Sequence, residues 1–266
     1  MRGRLFRKAM QAAVNRGWRG FFVLALQGVA RRLGLRSAPA TPEPQTISTL
    51  PADSLHPFDV EYGTDTSGLV WGEDLPSAHR NALWSTAYYG VSPTGFRQVM
   101  ETLALDWTRF TFVDLGSGKG RALLLASRFP FRRILGVELV LELSAVAAAN
   151  IARFSADWKR CDRIEARNGD ATAFDYPAEP LVIYLYHPFL APVLKRCLRS
   201  LRRSVERHPR EVYMVYFNPA FSGVVEKQWP ELKLVWERTF SMTKEDAAAD
   251  RFGSAEEKVV LFRYAP

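Results

Sequence analysis

From residue 110 onward, short apolar runs alternate with stretches whose apolar residues recur every three or four positions, the pattern of strands separated by helices. Runs over 110–114, 133–138, 163–168, 181–186, 212–217, 233–238 and 258–264 are rich in β-branched and aromatic residues and predict seven strands. Between them, Leu143, Val146, Ala147, Ile151 and Phe154 form one helical stripe, and Leu194, Cys197, Leu198, Leu201 and Val205 form another. This alternation predicts an α/β domain over 109–266, a seven-stranded, mostly parallel sheet with helices on both faces. After Phe217 a single helix-length segment precedes two consecutive strands, so the chain is expected to end in a hairpin whose last strand inserts antiparallel.

Upstream the pattern weakens. Residues 56–108 carry aromatics and glycines without a strong period and read as a small N-terminal cap ending in a helix over 94–105. Pro39, Pro42, Pro44 and Pro51, set among Ser, Thr and Ala, make 37–55 an extended linker. Residues 1–36 interleave Leu5, Phe6, Met10, Trp18, Phe21 and Leu33 with cations at roughly helical spacing, the pattern of a basic amphipathic arm.

Charge changes the picture only once it is located. The formal +8 belongs to the arm, which holds Arg2, Arg4, Arg7, Lys8, Arg16, Arg19, Arg31, Arg32 and Arg36 and no acid; the rest has 27 basic against 28 acidic residues. A near-neutral body argues against a broad nucleic-acid-binding face. The arm's longest nearly apolar stretch, residues 20–30, is well short of the ~20 residues a spanning helix needs. It suits an anionic membrane surface, resembles an import presequence in lacking acids, and suits equally a contact with its own domain or a partner. Cys161 and Cys197 form no CxxC or Cys/His cluster, so neither a disulfide framework nor a metal site is expected, and a cytoplasmic protein, peripheral at most, fits this usage.

The candidate chemistry lies at strand ends. The first strand runs into Asp114, Leu115, Gly116, Ser117, Gly118, Lys119 and Gly120 and then the helix former RALLLAS, giving strand, glycine turn and helix start. Glycines there admit close approach of a ligand to the backbone, and the helix amino end favours a negative group. The spacing is GxGxG, and Arg121 stands where a dinucleotide fingerprint needs its third glycine. Glu138 ends the second strand in GVE, placed to accept from two ribose hydroxyls, and Asp170 follows the third in GDA, with Ala171, placed to accept from an adenine amino group. Three acids at successive strand ends suit an adenosine with a cationic tail better than a pyrophosphate.

DLGSGKG, GVEL and NGDA resemble motifs I, II and III of the class I S-adenosylmethionine (SAM) dependent methyltransferases, from about Phe110 to the C-terminus. FDVEYGTDTSG with YYGVSPT is similar to a largely uncharacterised family of bacterial methyltransferases, and the YxxSP element beside DxGSGxG resembles the non-SET histone lysine methyltransferases. The resemblance implies a Rossmann-like fold and SAM as cofactor, with Asp114, Gly116, Ser117, Gly118 and Gly120 at its methionine end, Glu138 at the ribose and Asp170 at the adenine. Tyr88 and Tyr89 of the cap are candidates to close over the sulfonium, where an aromatic face stabilises a cation, or to pack in the core.

The fourth strand ends in Tyr186, His187, Pro188 and Phe189, where many N-methyltransferases carry an Asn or Asp, two prolines and an aromatic. His187 lacks the amide oxygen of that motif, but a neutral imidazole accepts a proton or a hydrogen bond, so Tyr186 and His187 are catalytic candidates. Asn218, ending the fifth strand before Pro219, is placed to supply the amide. His56, His79 and His208 suggest no ligand set, and Arg202, Arg203, Arg207 and Arg210 read as a solvated helix face. The reading is methyl transfer from SAM to a nitrogen or oxygen nucleophile on a protein lysine, a small molecule or a glycan. Its alternatives are an NAD-dependent oxidoreductase and a membrane-tethered SAM-binding scaffold without turnover.

Overall fold

Seven strands hydrogen-bond into one sheet, whose central apolar runs bury both faces between helices. The computed structural model describes residues 55–70, 77, 79–249 and 255–266; the arm, and the linker apart from Leu55, lie outside the described residues. In chain order the described strands are β1 (Leu69–Val70), β2 (Tyr88–Tyr89), β3 (Thr111–Leu115), β4 (Arg133–Glu138), β5 (Ile164–Asn168), β6 (Leu181–Tyr186), β7 (Val212–Phe217), β8 (Lys233–Ser241) and β9 (Glu256–Tyr264). The helices are α1 (Pro57–Tyr62), α2 (Pro93–Glu101), α3 (Arg121–Ala126), α4 (Leu141–Arg153), α5 (Ala191–Arg207), α6 (Ser222–Gln228) and α7 (Lys244–Ala249).

The sheet order is β5-β4-β3-β6-β7-β9-β8, with β1 and β2 paired in a separate antiparallel ribbon. β3 through β7 run parallel, and β9 inserts antiparallel between β7 and β8. The seven strands expected from the sequence are therefore those observed, and the terminal hairpin forms as anticipated. Its connection is more than a turn, because α7 lies within it.

Alternation along the strands builds two apolar cores. Val113, Leu115, Ile183 and Met214 face α5 through Leu194, Leu198 and Leu201, all nearly solvent-free. Phe112, Val182, Tyr184 and Val215 face α2 and α3 through Phe96, Val99, Met100, Leu123 and Leu124. Phe96 packs its ring 5.4 Å from that of Tyr184, so α2 belongs to the sheet's own core, and the overlying cover comes from the loops and short elements around it.

α2 starts at Pro93, its first turn capped by the Ser92 hydroxyl accepting from the Gly95 amide, and it stops at Glu101 rather than 105. The chain reverses soon after through Ala104 at φ 47°. Arg210 also departs from expectation. It is buried, and its guanidinium donates to the carbonyls of Ser204 and His208 at the end of α5.

Candidate functional site

The order of the sheet creates the crevice. The chain leaves β3 for β4 and β5 on one side and returns to β6 on the other, so the loops after β3 and β6 diverge over the carboxyl ends of adjacent strands. A cleft opens there, over the carboxyl ends of β3, β4 and β6. It is bordered by Asp114, Gly116, Ser117, Gly118, Glu138, Asp170, Ala171, Tyr89 and Tyr186 from among the sequence candidates.

The glycine turn is tight. Gly116, Gly118 and Gly120 have φ of 86°, 53° and 86°, in the left-handed region that disfavours other residues. A Cβ on Gly118 would lie 2.3 Å from ring carbons of Tyr88, and one on Gly116 would lie 2.4 Å from Cβ of Pro188. The turn is thus closed over by the cap and by the loop after β6.

The acids differ in how they are held. Glu138 accepts the Gly118 amide at 2.8 Å on Oε2 and the Val140 amide at 2.9 Å on Oε1, leaving further lone pairs on each oxygen. Burial pushes its carboxyl up, against those backbone donors. Asp114 is buried, and burial followed by the neighbouring Glu138 pushes it well above the usual carboxylate value. Burial also acts on Asp170, but the Thr172 amide and hydroxyl, Asn81 and His79 outweigh it and hold that acid low. Asn81 links Asp170, at 2.9 Å, to Arg196, at 2.6 Å.

Three candidates lie outside the lining. Gly120 caps α3 and packs against Ala147 of α4. His187 is buried behind the crevice at φ 45°, its Nδ1 3.0 Å from the Tyr216 hydroxyl and its ring near Phe221. Burial lowers its pKa to about 4, so the imidazole is neutral, and the packing keeps it from the mouth where a proton acceptor was expected. Asn218, at φ 48°, directs its amide nitrogen to Glu257 at 3.0 Å.

Several site residues escaped the sequence. Tyr184 lies opposite Asp114 in the β3–β6 register and borders the cavity, and its buried hydroxyl has no hydrogen-bond partner among the described residues, nor has that of Ser117. The two-residue spacing from Tyr186 was the available signal, since alternate strand residues share a face.

The cover is fastened by paired charges. Asp59 accepts from Thr64 and Thr66 hydroxyls at 2.6 Å, from the Thr66 amide at 2.9 Å and from Ser67, with Arg121 3.5 Å away. Burial raises Asp59, but Arg121 and the three hydroxyls outweigh it and hold it below its ordinary value. Lys119 reaches Asp65 at 2.6 Å and the Ser67 carbonyl at 2.9 Å. Further along, the Thr86 amide donates to the Pro188 carbonyl and the Leu190 amide to the Trp84 carbonyl, stitching the cap to the loop after β6. Among the described residues no three His, Cys, Asp or Glu side chains gather as metal ligands, and no helix is long and apolar enough to cross a membrane.

No family model matches this chain, and no curated protein matches it. Solved structures similar to it include the glycopeptide N-methyltransferase MtfA complexed with (S)-adenosyl-L-methionine, at 13% identity over 67% of this chain and 96% of that one, TM-score 0.47. A SAM dependent methyltransferase from Aquifex aeolicus is similar at 11% identity over 64% and 89%, TM-score 0.45. The 23S rRNA methyltransferase ErmE is similar at 13% identity over 64% and 67%, TM-score 0.44.

Proposed function

We propose that this chain is a SAM-dependent methyltransferase acting on a nitrogen or oxygen nucleophile of a protein, small molecule or glycan. The observation that carries the reading is the gathering of Asp114, Glu138 and Asp170 around one crevice whose floor is the Gly116–Gly118 turn. The residues fit the cofactor: Glu138 keeps a lone pair on each oxygen for a ribose diol, and the Ser117 and Tyr184 hydroxyls await polar partners. Asp114 faces the methionine end, where a ligand ammonium would draw it into its charged form. Bound there, SAM supplies a methyl group on a sulfonium. The protein's own part is to hold the acceptor in line at the β6 end and to exclude water beneath Tyr88 and Tyr89. Arg121 is tied into the cap and fills the position where a dinucleotide fold needs a glycine, which weighs against the oxidoreductase alternative.

Thermal unfolding of the full chain with SAM, S-adenosylhomocysteine and NAD tests the reading. A tight site adds about 2.7 kcal/mol at a hundredfold ligand excess. Stabilisation by NAD alone, or by none of the three, would overturn it; stabilisation by SAM with no labelled methyl entering any extract component would leave a scaffold. We further propose that residues 1–36 attach the protein to anionic membranes. Their deletion should abolish vesicle binding and leave SAM affinity intact, and equal vesicle binding by the truncated chain would reject attachment.

A further inference from the structure

The near-neutral total of the body conceals an uneven surface. α5 holds Lys195, Arg196, Arg199, Arg202, Arg203 and Arg207 against a single acid, Glu206. Its apolar stripe, Leu194, Leu198 and Leu201 included, is buried on the sheet, so the cations take the outer face. Two of them are engaged within the fold. Arg202 pairs with Glu206 at 3.0 Å and with Glu231 at 3.5 Å, and Arg196 donates to Asn81 at 2.6 Å. Lys195, Arg199, Arg203 and Arg207 are exposed, and no acid pairs with them among the described residues. Arg199 Nε donates only to the Lys195 carbonyl, at 3.3 Å.

These four recur at every fourth position, which lines them along one side of the helix at steps of about 6 Å. Like charges at that spacing repel and weaken a helix, so the row is unfavourable until anions meet it. It starts two residues beyond Val193, which borders the crevice. Trp84 lies at the same end: the Leu190 amide, just before α5, donates to the Trp84 carbonyl at 2.8 Å, and the side chain is 40% exposed. An aromatic face at the end of a line of cations suits a chain that repeats both a negative charge and a flat base. A membrane is a poorer match, because the apolar face of α5 is buried and has nothing to insert. An acidic peptide offers carboxylates only where its sequence carries them, and no base for the indole. We infer that the outer face of α5, with Trp84, is a docking surface for single-stranded nucleic acid, its phosphates along Lys195, Arg199, Arg203 and Arg207 and an unpaired base on Trp84. The inference stands apart from methyl transfer, and its test reads binding alone.

The test titrates the full chain, and the full chain carrying Lys195→Gln, Arg199→Gln, Arg203→Gln and Arg207→Gln together, with a fluorescein-labelled oligouridylate of about 16 nucleotides, followed by anisotropy over a range of salt. The basic arm is common to both proteins, so the difference between them belongs to α5. Each phosphate contact contributes about 0.7 to the slope of log affinity against log salt, so the variant's slope should be shallower by about 3 and its binding at about 0.1 M salt at least about tenfold weaker. Trp84→Ala should bind roughly tenfold more weakly at an unchanged slope, since stacking releases no counterion. Absence of binding by the full chain, a slope untouched by the four substitutions, or parental binding by Trp84→Ala would each overturn the surface. So would displacement of the oligouridylate by poly-L-glutamate at equal charge, or an equal loss by the variant of binding to phosphatidylglycerol vesicles.

Discussion

One short turn serves two regions with opposite accounts of their polar groups. Lys119 and Arg121 reach into the cap, where Asp65, Asp59 and the hydroxyls of Thr66 and Ser67 answer them. Ser117 and Gly118 face the crevice, where the Ser117 and Tyr184 hydroxyls find no partner among the described residues and Asp114 is pushed toward its neutral form. Satisfaction on one side and want on the other separate what holds the fold from what receives a ligand.

Breaking the satisfied side should do the greater damage. Arg121→Ala strands the Asp59 carboxylate in a dry site, and losing one partner of a buried pair costs about 3–5 kcal/mol. Denaturant unfolding should register that loss, and an unchanged midpoint would show that the cap is not anchored there. On the receiving side, Glu138→Ala should weaken SAM roughly ten- to a hundredfold, from about 1.5–3 kcal/mol of charged hydrogen bonding. Calorimetry checks this, and parental affinity would remove Glu138 from the ribose.

Gly118→Ala probes the seam between the regions. Overpacking against Tyr88 should cost roughly 1–3 kcal/mol, and Tyr88→Ala in the same chain should recover part of it, as two touching sites couple. Additive losses would mean that Tyr88 does not set the limit.

Asp114→Asn sharpens the contrast through pH. The folded carboxyl stays protonated above the ordinary value of 3.8, where the unfolded chain has already ionised. Unfolding then releases a proton, so stability falls as pH rises from that value through the raised folded one. Asparagine has no proton to release, so the variant should lose this slope and gain stability near neutrality while binding SAM poorly. A slope identical to the parent's would show that the acid ionises normally. The smallest effect belongs to His187→Gln, whose ring is walled off by Tyr216 and Phe221. Its turnover should stay near parental while its melting temperature drops, and a collapse of turnover without loss of stability would return the residue to catalysis.

The central strands β3, β4, β6 and β7 were readable because they are buried on both faces, and the glycine turn because its residues are local. β8 ran on to Ser241, beyond the expected 238, since an edge strand exposes both faces and loses the apolar signal. The period carried α2 too far because Leu103 remains buried after the helix has ended. Of the site, Asp114, Glu138 and Asp170 were legible from strand ends. Asp59, Asn81 and Glu257 were not, because each meets a partner distant in sequence, Arg121 beside Asp59, Asp170 beside Asn81 and Tyr186 beside Glu257. His187 lies outside the crevice lining, because position at a strand end does not say which way a left-handed residue sends its side chain.

The separations across which the cover is stitched have a temporal consequence. Ser92 and Asp246 are 154 residues apart, Thr86 and His187 101, and Asn81 and Asp170 89. Residues 79–94 leave the ribosome early, yet their partners are made late, and closing loops of that length is a slow step. The crevice should therefore be roofed last, after the sheet has condensed. Pulse-labelled hydrogen exchange during refolding would see β3 and β6 amides protected before those of Thr86 and Thr94, so that a newborn chain passes through a stage with its sheet complete and its crevice still open to water.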